Sequence, residues 1–432
     1  MNATAAPTTE PTPARPGDEP AVVTVVDRKA PIVLTVLTLG HALILLLADR
    51  TGDTTFRLAT SDDFFQVPSV SLPAMATAWV LVVLLALCAG WSWWLTLRER
   101  PTPLWLIVVF TVTALVAFLS WAAAGSTIPV VGLLGGAIAL AVPLVFGAMS
   151  GVIGERAGVV NIAIDGQLLA GAFAAAVVGS VAGSTWAGLV GAMAAGLLVA
   201  LLLGLFAISY LVDQVIVGVV LNVLVIGLTS FLFSQVLAPN AASLNNPPRF
   251  RDIEIPLLGE IPVIGPVLFQ QTAVVYLMYV TVAVIAWALY RSRWGLRLRA
   301  VGEHPKAADT VGIKVIRTRY RAVLLAGAIA GLGGAFYTLV SVPQFNREMT
   351  GGAGYIALAA VIFGKWDPIR ATLAALLFGF ASTLQGVLSV IGSPVPSQFM
   401  LMLPYVVTIF AVAGVVGRSR PPAADGIPYA KG

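Results

Sequence analysis

Residues 74–97 read AMATAWVLVVLLALCAGWSWWLTL, running from Ala74 to Leu97 without a charged side chain. At about 1.5 Å of rise per residue, such a helix exceeds the roughly 30 Å hydrocarbon core of a bilayer. Its residues are apolar on every face, with neither the alternation of a barrel strand nor the polar stripe of a surface helix. The segment therefore reads as a helix crossing lipid. Leu104 to Ala124 and Thr272 to Tyr290 repeat the pattern. The whole chain is 58% hydrophobic and 10% charged, against roughly 45–50% and about 25% in soluble domains, an excess no soluble core absorbs. Working outward, apolar segments fall near 31–48, 74–97, 103–124, 129–150, 158–183, 185–210, 213–237, 272–290, 321–342, 353–365, 370–391 and 398–417. The expected fold is an all-α, polytopic transmembrane helical bundle of about 12 membrane segments.

Charge sets the expected orientation. Between Arg291 and Arg321 lie Arg293, Arg297, Arg299, Lys306, Lys314, Arg317 and Arg319, opposed only by Glu303 and Asp309. Basic loops stay on the cytoplasmic side. Counting from that loop puts the 49–73 and 238–271 loops outside, and Arg98, Arg100, Arg418 and Arg420 inside, with both termini cytoplasmic. The count closes only if the short 353–365 segment also crosses, as a broken or tilted helix. Residues 1–27, rich in Pro, Thr and Ala, read as a disordered cytoplasmic tail. The net charge of +5 thus reports topology, not a nucleic-acid partner. Cys88 stands alone, which excludes an internal disulfide or a thiolate metal cluster. With His41 and His304 the only histidines, neither a Ser-His pair nor a histidine metal site is assembled. No P-loop is present, so the chain is not expected to act as an enzyme or to hydrolyse ATP itself.

Three polar stretches interrupt the apolar background. In Gly154 to Gln167, the residues Asn161, Asp165 and Gln167 fall at or within the start of a span, where an unpaired Asp costs about 2.5–3.5 kcal/mol at mid-depth. Asn161 and Asp165 either face a solute path at a kinked helix entry or cap the helix. Glu155 and Arg156 read as solvated turn residues. The second stretch, Arg297 to Val315, holds a short helix opened by Pro305 and ended by Gly312. It reads as a solvated basic loop or as a docking knob for a soluble partner, with the small Ala307 and Ala308 favouring the knob. In the third, Gly351, Gly352 and Gly354 precede a short apolar helix ending at Lys365 and Trp366, a break tolerated where it lines a cavity. Asn222 and Gln385, inside other spans, serve as interhelical hydrogen-bonding groups or as groups lining that cavity. The glycine pairs 132/136, 147/151 and 327/331 read as close helix packing.

These stretches resemble the permease subunits of bacterial ABC importers of the branched-chain amino acid/ribose/nucleoside permease superfamily, simple-sugar and nucleoside branch. Glu155-Arg156-Ala157-Gly158-Val159-Val160-Asn161-Ile162 leads to Asp165-Gly166, where the family more often has Glu-Gly. Asp213-Gln214-Val215-Ile216-Val217-Gly218 with Leu221-Asn222 is similar too. So is Ala300 to Thr310, the family's coupling segment, with His304 where Asn is usual. Ala357 to Trp366 completes the set. The resemblance covers residues 129–417, leaving 28–125 as extra N-terminal transmembrane helices and 418–432 as a cytoplasmic tail. It implies a bacterial plasma-membrane permease for a nucleoside or simple sugar. Its implied partners are an ATP-binding subunit that holds ATP and Mg, a second permease subunit of different sequence, an extracellular solute-binding protein, and membrane lipid. On the residues' own reading, Asn161, Asp165, Gln167, Asn222 and Gln385 are the candidates for the path. Gly302, Glu303, Pro305, Ala307, Ala308 and Gly312 would form the coupling loop. The rival reading is a secondary transporter driven by an ion gradient, for which Asp165 is the only suitable carboxylate.

Overall fold

The computed structural model describes residues 28–60, 65–396, 398–399, 402 and 420–431. Among these, ten helices are long and apolar enough to cross a membrane. They are α1 (Lys29–Leu47), α2 (Ala74–Leu97), α3 (Leu104–Ala122), α4 (Val130–Arg156), α5 (Ile164–Ala182), α6 (Thr185–Ser209), α7 (Gln214–Leu237), α9 (Ala273–Arg291), α12 (Val315–Ser341) and α14 (Pro368–Val390). Shorter helices are α8 (Ala241–Leu244), α10 (Arg293–Glu303), α11 (Pro305–Thr310) and α13 (Ala353–Phe363). The chain is thus an all-α polytopic bundle. The 353–365 segment is an 11-residue helix, shorter than a full span. The segment near 398–417 and the tail 1–27 fall largely or wholly outside the described residues.

The chain divides into two compact units. One holds α1 with Trp79–Ala117 of α2 and α3. There Leu34, Leu85, Ala89 and Phe110 form a small core, and the Trp93 indole donates to the Thr35 hydroxyl at 2.9 Å.

The other unit takes Asp49–Ala78 and everything from Phe118 onward. Its small sheet orders β1 (Asp53–Arg57) between β2 (Val70–Pro73), antiparallel, and β3 (Thr127–Pro129), parallel. A second pair, β4 (Asp252–Glu254) and β5 (Gln270–Thr272), is antiparallel. At the centre of the helices stands α12, packed against α4, α5 and α6. Its residues explain the position: a Cβ at Gly331 would strike the backbone of Ala192 on α6, and one at Gly327 would strike Gly196 and Ala200. Small residues let the two backbones touch, so dispersion acts over the full helix length where lipid offers no hydrophobic drive. The glycine pairs at 147/151 and 327/331 do what their spacing predicts. Gly147 and Gly151 lie against Ala357 and Val361 of α13.

Candidate functional site

Two helices of this unit begin in the interior, α5 at Ile164 and α13 at Ala353. A helix start carries backbone N–H groups with no partner of their own, and buried in a membrane protein they must find one. Each start here is met by a side chain from elsewhere. At α13 the Gly354 N–H donates to Asp165 Oδ1 at 2.9 Å, and the Thr350 hydroxyl donates to Oδ2 at 3.3 Å. At α5 the Gly166 N–H donates to Asn222 Oδ1 on α7 at 2.7 Å. The Asn222 amide in turn donates to Ile162 O at 2.8 Å and to the Tyr355 hydroxyl at 3.0 Å. Gly351 and Gly352, at φ +54° and +82°, supply the left-handed turn that brings α13 onto Asp165. A Cβ on Gly354 would collide with the Asp165 backbone, so the approach requires glycine.

Beside this junction Asn161 and Gln167 exchange amide bonds at 3.0 and 3.2 Å, and Asn161 also donates to Ser150 of α4 at 3.1 Å. Gln214 accepts from Val160 N at 2.7 Å, while its own amide nitrogen is buried with no partner. Asp213 caps α7 through Val215 and Ile216. Four of the residues expected on a path, Asn161, Asp165, Gln167 and Asn222, therefore lie buried around the start of α5, in three separate hydrogen-bonded sets. Gln385, half-buried on α14, makes no hydrogen bond to any of them. Tyr355 is 48% exposed and is the member of these sets whose ring remains open. Sequence reading missed it, along with Thr350 and Ser150, because an isolated hydroxyl in an apolar run gives no pattern. The glycine cluster directly before Tyr355 was the available signal.

Glu155 and Arg156 differ from the expected solvated turn. Glu155 is buried and accepts from the Trp366 indole. Arg156 donates from Nε to Trp366 O at 3.0 Å and from Nη2 to Lys365 O at 3.4 Å. Lys365 and Trp366 hold φ of +53° and +56°, a sparsely populated conformation for residues with a Cβ. The two α4 residues clamp that turn at the end of α13. A charge next to an arginine in sequence looks solvated; only the fold brings the indole and two carbonyls to it.

The basic loop folds as α10, α11 and a turn at Gly312, φ +84°. Glu303, Lys306, Ala307 and Gly312 are exposed and Pro305 is half-buried. Ala308 packs inward with Val301, Val315 and Tyr429, since neighbouring helical positions face about 100° apart. Gly302 lies against the Arg156 carbonyl and faces inward too. Among the described residues no three His, Cys, Asp or Glu side chains come together as a metal site.

The family model described as "Branched-chain amino acid transport system / permease component" matches residues 133–412. The chain belongs to this permease family. As such it is the multi-pass, membrane-spanning component of a solute transport system. The guanosine ABC transporter permease protein NupQ of Bacillus subtilis is 40% identical to the permease over 305 residues, covering 68% of the chain and 94% of NupQ. The nucleoside ABC transporter permease protein NupC of Lactococcus lactis is 37% identical over 302 residues, 67% of the chain and 93% of NupC. The guanosine ABC transporter permease protein NupP of Bacillus subtilis is 26% identical over 296 residues, 66% of the chain and 83% of NupP. No solved structure matches the permease. Helices α1 to α3 precede the matched stretch. The polar cluster, the clamp and the basic loop lie inside it.

Proposed function

We propose that the permease is one of two membrane subunits of an ATP-driven ABC importer that carries a nucleoside into the cell. The observation that carries the reading is the 40% identity to a guanosine ABC transporter permease over 305 residues. The geometry supports it: two interior helix starts join through Asp165 and Asn222, an arrangement that holds broken helices next to a solute path. Tyr355, half open beside the Asn222 amide, offers a ring face for a base and a hydroxyl for a polar edge. The polar cluster has no open charge to select an ionic solute, which suits a neutral one.

In this reading the second membrane subunit is a different chain. Bacillus subtilis has two guanosine permease proteins, and this chain resembles them unequally, at 40% and 26%. The α10–α12 region faces the cytoplasm, as its exposed cations require. There α11 receives a separate ATP-hydrolysing subunit, which holds ATP and Mg, and an extracellular binding protein delivers the solute. Closure of the ATPase pair pushes α11 and tilts the helices between outward-open and inward-open states.

The test is uptake of guanosine, ribose and leucine by vesicles holding the full transporter, with and without ATP. ATP-dependent guanosine uptake is the expected result. Leucine uptake with no nucleoside uptake overturns the substrate. Accumulation that needs an ion gradient and no ATPase subunit overturns the importer and restores the secondary transporter.

A further inference from the structure

Residues 420–431 return to the chain and fold beneath the basic loop. The Ala424 N–H donates to Gly302 O at 2.8 Å, and the Ala423 N–H donates to Glu303 Oε2 at 3.2 Å. From the other side Arg319 of α12, 1% exposed, donates from Nη1 to Ile427 O at 2.9 Å and from Nη2 to Ala424 O at 3.5 Å. Tyr429 is buried against Val301, Ala308 and Val315, and its hydroxyl bonds Asp309 of α11. Next along the strap, Asp425 lies close enough to Glu155 of α4 and to Arg319 for each to feel its charge. Gly158 is pressed between Arg319 and the Ala424 carbonyl. The strap therefore touches α10, α11, α12 and the turn that leads to Asn161 and Asp165.

This placement has a mechanical consequence. Helix α11 is six residues long, under two turns, and few of its own backbone bonds hold its angle. Its inner face rests on Tyr429, so a push on α11 reaches α12 and the 156–161 turn through the strap. The strap also widens the outer face. Ile427 is 55% exposed and Val311 75%, and the same loop and strap carry exposed cations at Arg293, Arg297, Lys306, Lys314, Arg317 and Lys431 against the exposed Glu303. A predominantly basic loop and strap with two exposed apolar side chains suits an acidic partner surface that also offers apolar contact.

We propose that residues 421–431 are the second half of the ATPase docking surface, joined to α11, and that they carry its movement to Arg319 and to the turn before α5. The proposal rests on the docking of the ATPase at α11 argued above. The surface is continuous with that site, and its occupant is the same subunit.

The experiment uses the complete transporter with Cys88→Ser as background. Val311→Cys and Ile427→Cys, both at exposed positions, are labelled with a water-soluble maleimide with the ATPase subunit present and absent. Slower labelling of both in the complex supports a joint surface. Protection of position 311 with an unchanged rate at 427 overturns the strap and leaves docking at α11 intact. Unchanged rates at both overturn the docking reading itself. For the mechanical half, Tyr429→Ala, which empties the inward contact with Ala308 and leaves the outer face of the strap in place, is assembled with the ATPase. The expected result is a complex that still forms and hydrolyses ATP, but whose hydrolysis no longer rises severalfold with loaded binding protein. Full stimulation in Tyr429→Ala overturns the transmission role. In Tyr429→Phe, which keeps the buried ring, most of the stimulation returns.

Discussion

Helices α1 and α12 are both apolar enough to cross a bilayer, yet 22% of the α1 window is buried within the chain against 78% for α12. The difference lies in side-chain size. Along one side and the other α1 presents Leu37, Leu39, Leu43, Leu46 and Leu47, all exposed, while α12 carries Ala326, Gly327, Ala330, Gly331, Gly334 and Ala335, all buried. Hydrocarbon solvates leucine as well as a neighbouring helix does, so bulk alone draws no helix inward. Small residues do, because they let backbones approach until dispersion and polar contacts act. Hydrophobicity in this chain marks what enters the membrane, and smallness marks what stands at the centre.

The largest break in that comparison comes from enlarging the centre. Gly331→Leu drives a side chain into the α6 backbone, and its cost is expected to exceed the about 1–3 kcal/mol of ordinary overpacking. The reverse change on α1, Leu39→Ala, is expected within about 0.5 kcal/mol of neutral. Thermal unfolding of both in detergent checks the contrast, and equal effects would remove size as the explanation. Next in size, Asp165→Ala leaves the Gly354 N–H and the Thr350 hydroxyl unpaired, at about 1–3 kcal/mol each, and uptake is expected to be lost. Asp165→Asn keeps an acceptor and is expected to retain part of it. Unchanged uptake in correctly inserted Asp165→Ala would make the residue a dispensable cap.

A smaller effect is expected at the clamp. Trp366→Phe removes the indole donor from Glu155, for about 1–3 kcal/mol, and frees the left-handed turn at Lys365. Faster hydrogen exchange confined to the end of α13 is the expected signature. The smallest effect concerns pH. Burial pushes the Asp425 carboxyl from its ordinary 3.8 up to about 7, against the Gly426 N–H and Arg319, which pull it down. A docked strap then keeps a proton that a free tail has lost. Its attachment is firmest below about pH 4, weakens as pH rises towards about 7 and levels off above. Exchange protection of the Ala423 and Ala424 amides is expected to fall between about pH 4 and about pH 7 in the native chain and to stay flat in Asp425→Asn. Protection that rose with pH would reverse the sign, leaving Glu155 and Arg319 to set it.

Much of the polar cluster was legible because charge and amides are rare in this chain. Asn161, Asp165, Gln167 and Asn222 stood out against an apolar background, and each found a partner in the same place. Gln385 stood out equally and joins none of them. Its position in a span was readable, but the direction it faces depends on how α14 is rotated against α4. Tyr355, Arg319 and residues 420–431 were passed over for the opposite reason. Each is ordinary in its local context, a tyrosine after glycines, one arginine among many, a proline-bearing end.

By itself the sequence determined the solvent, the class of fold and the places where helices break. These follow from transfer free energies and backbone hydrogen bonding, which act residue by residue over about 20 positions. Tertiary structure alone decided which polar groups meet, which arginine is buried, and that the chain's end supports α11. Those outcomes depend on contacts between residues more than 100 positions apart, such as Arg319 with Ile427 and Asp165 with Gly354. No local preference encodes the angle at which two helices come to rest.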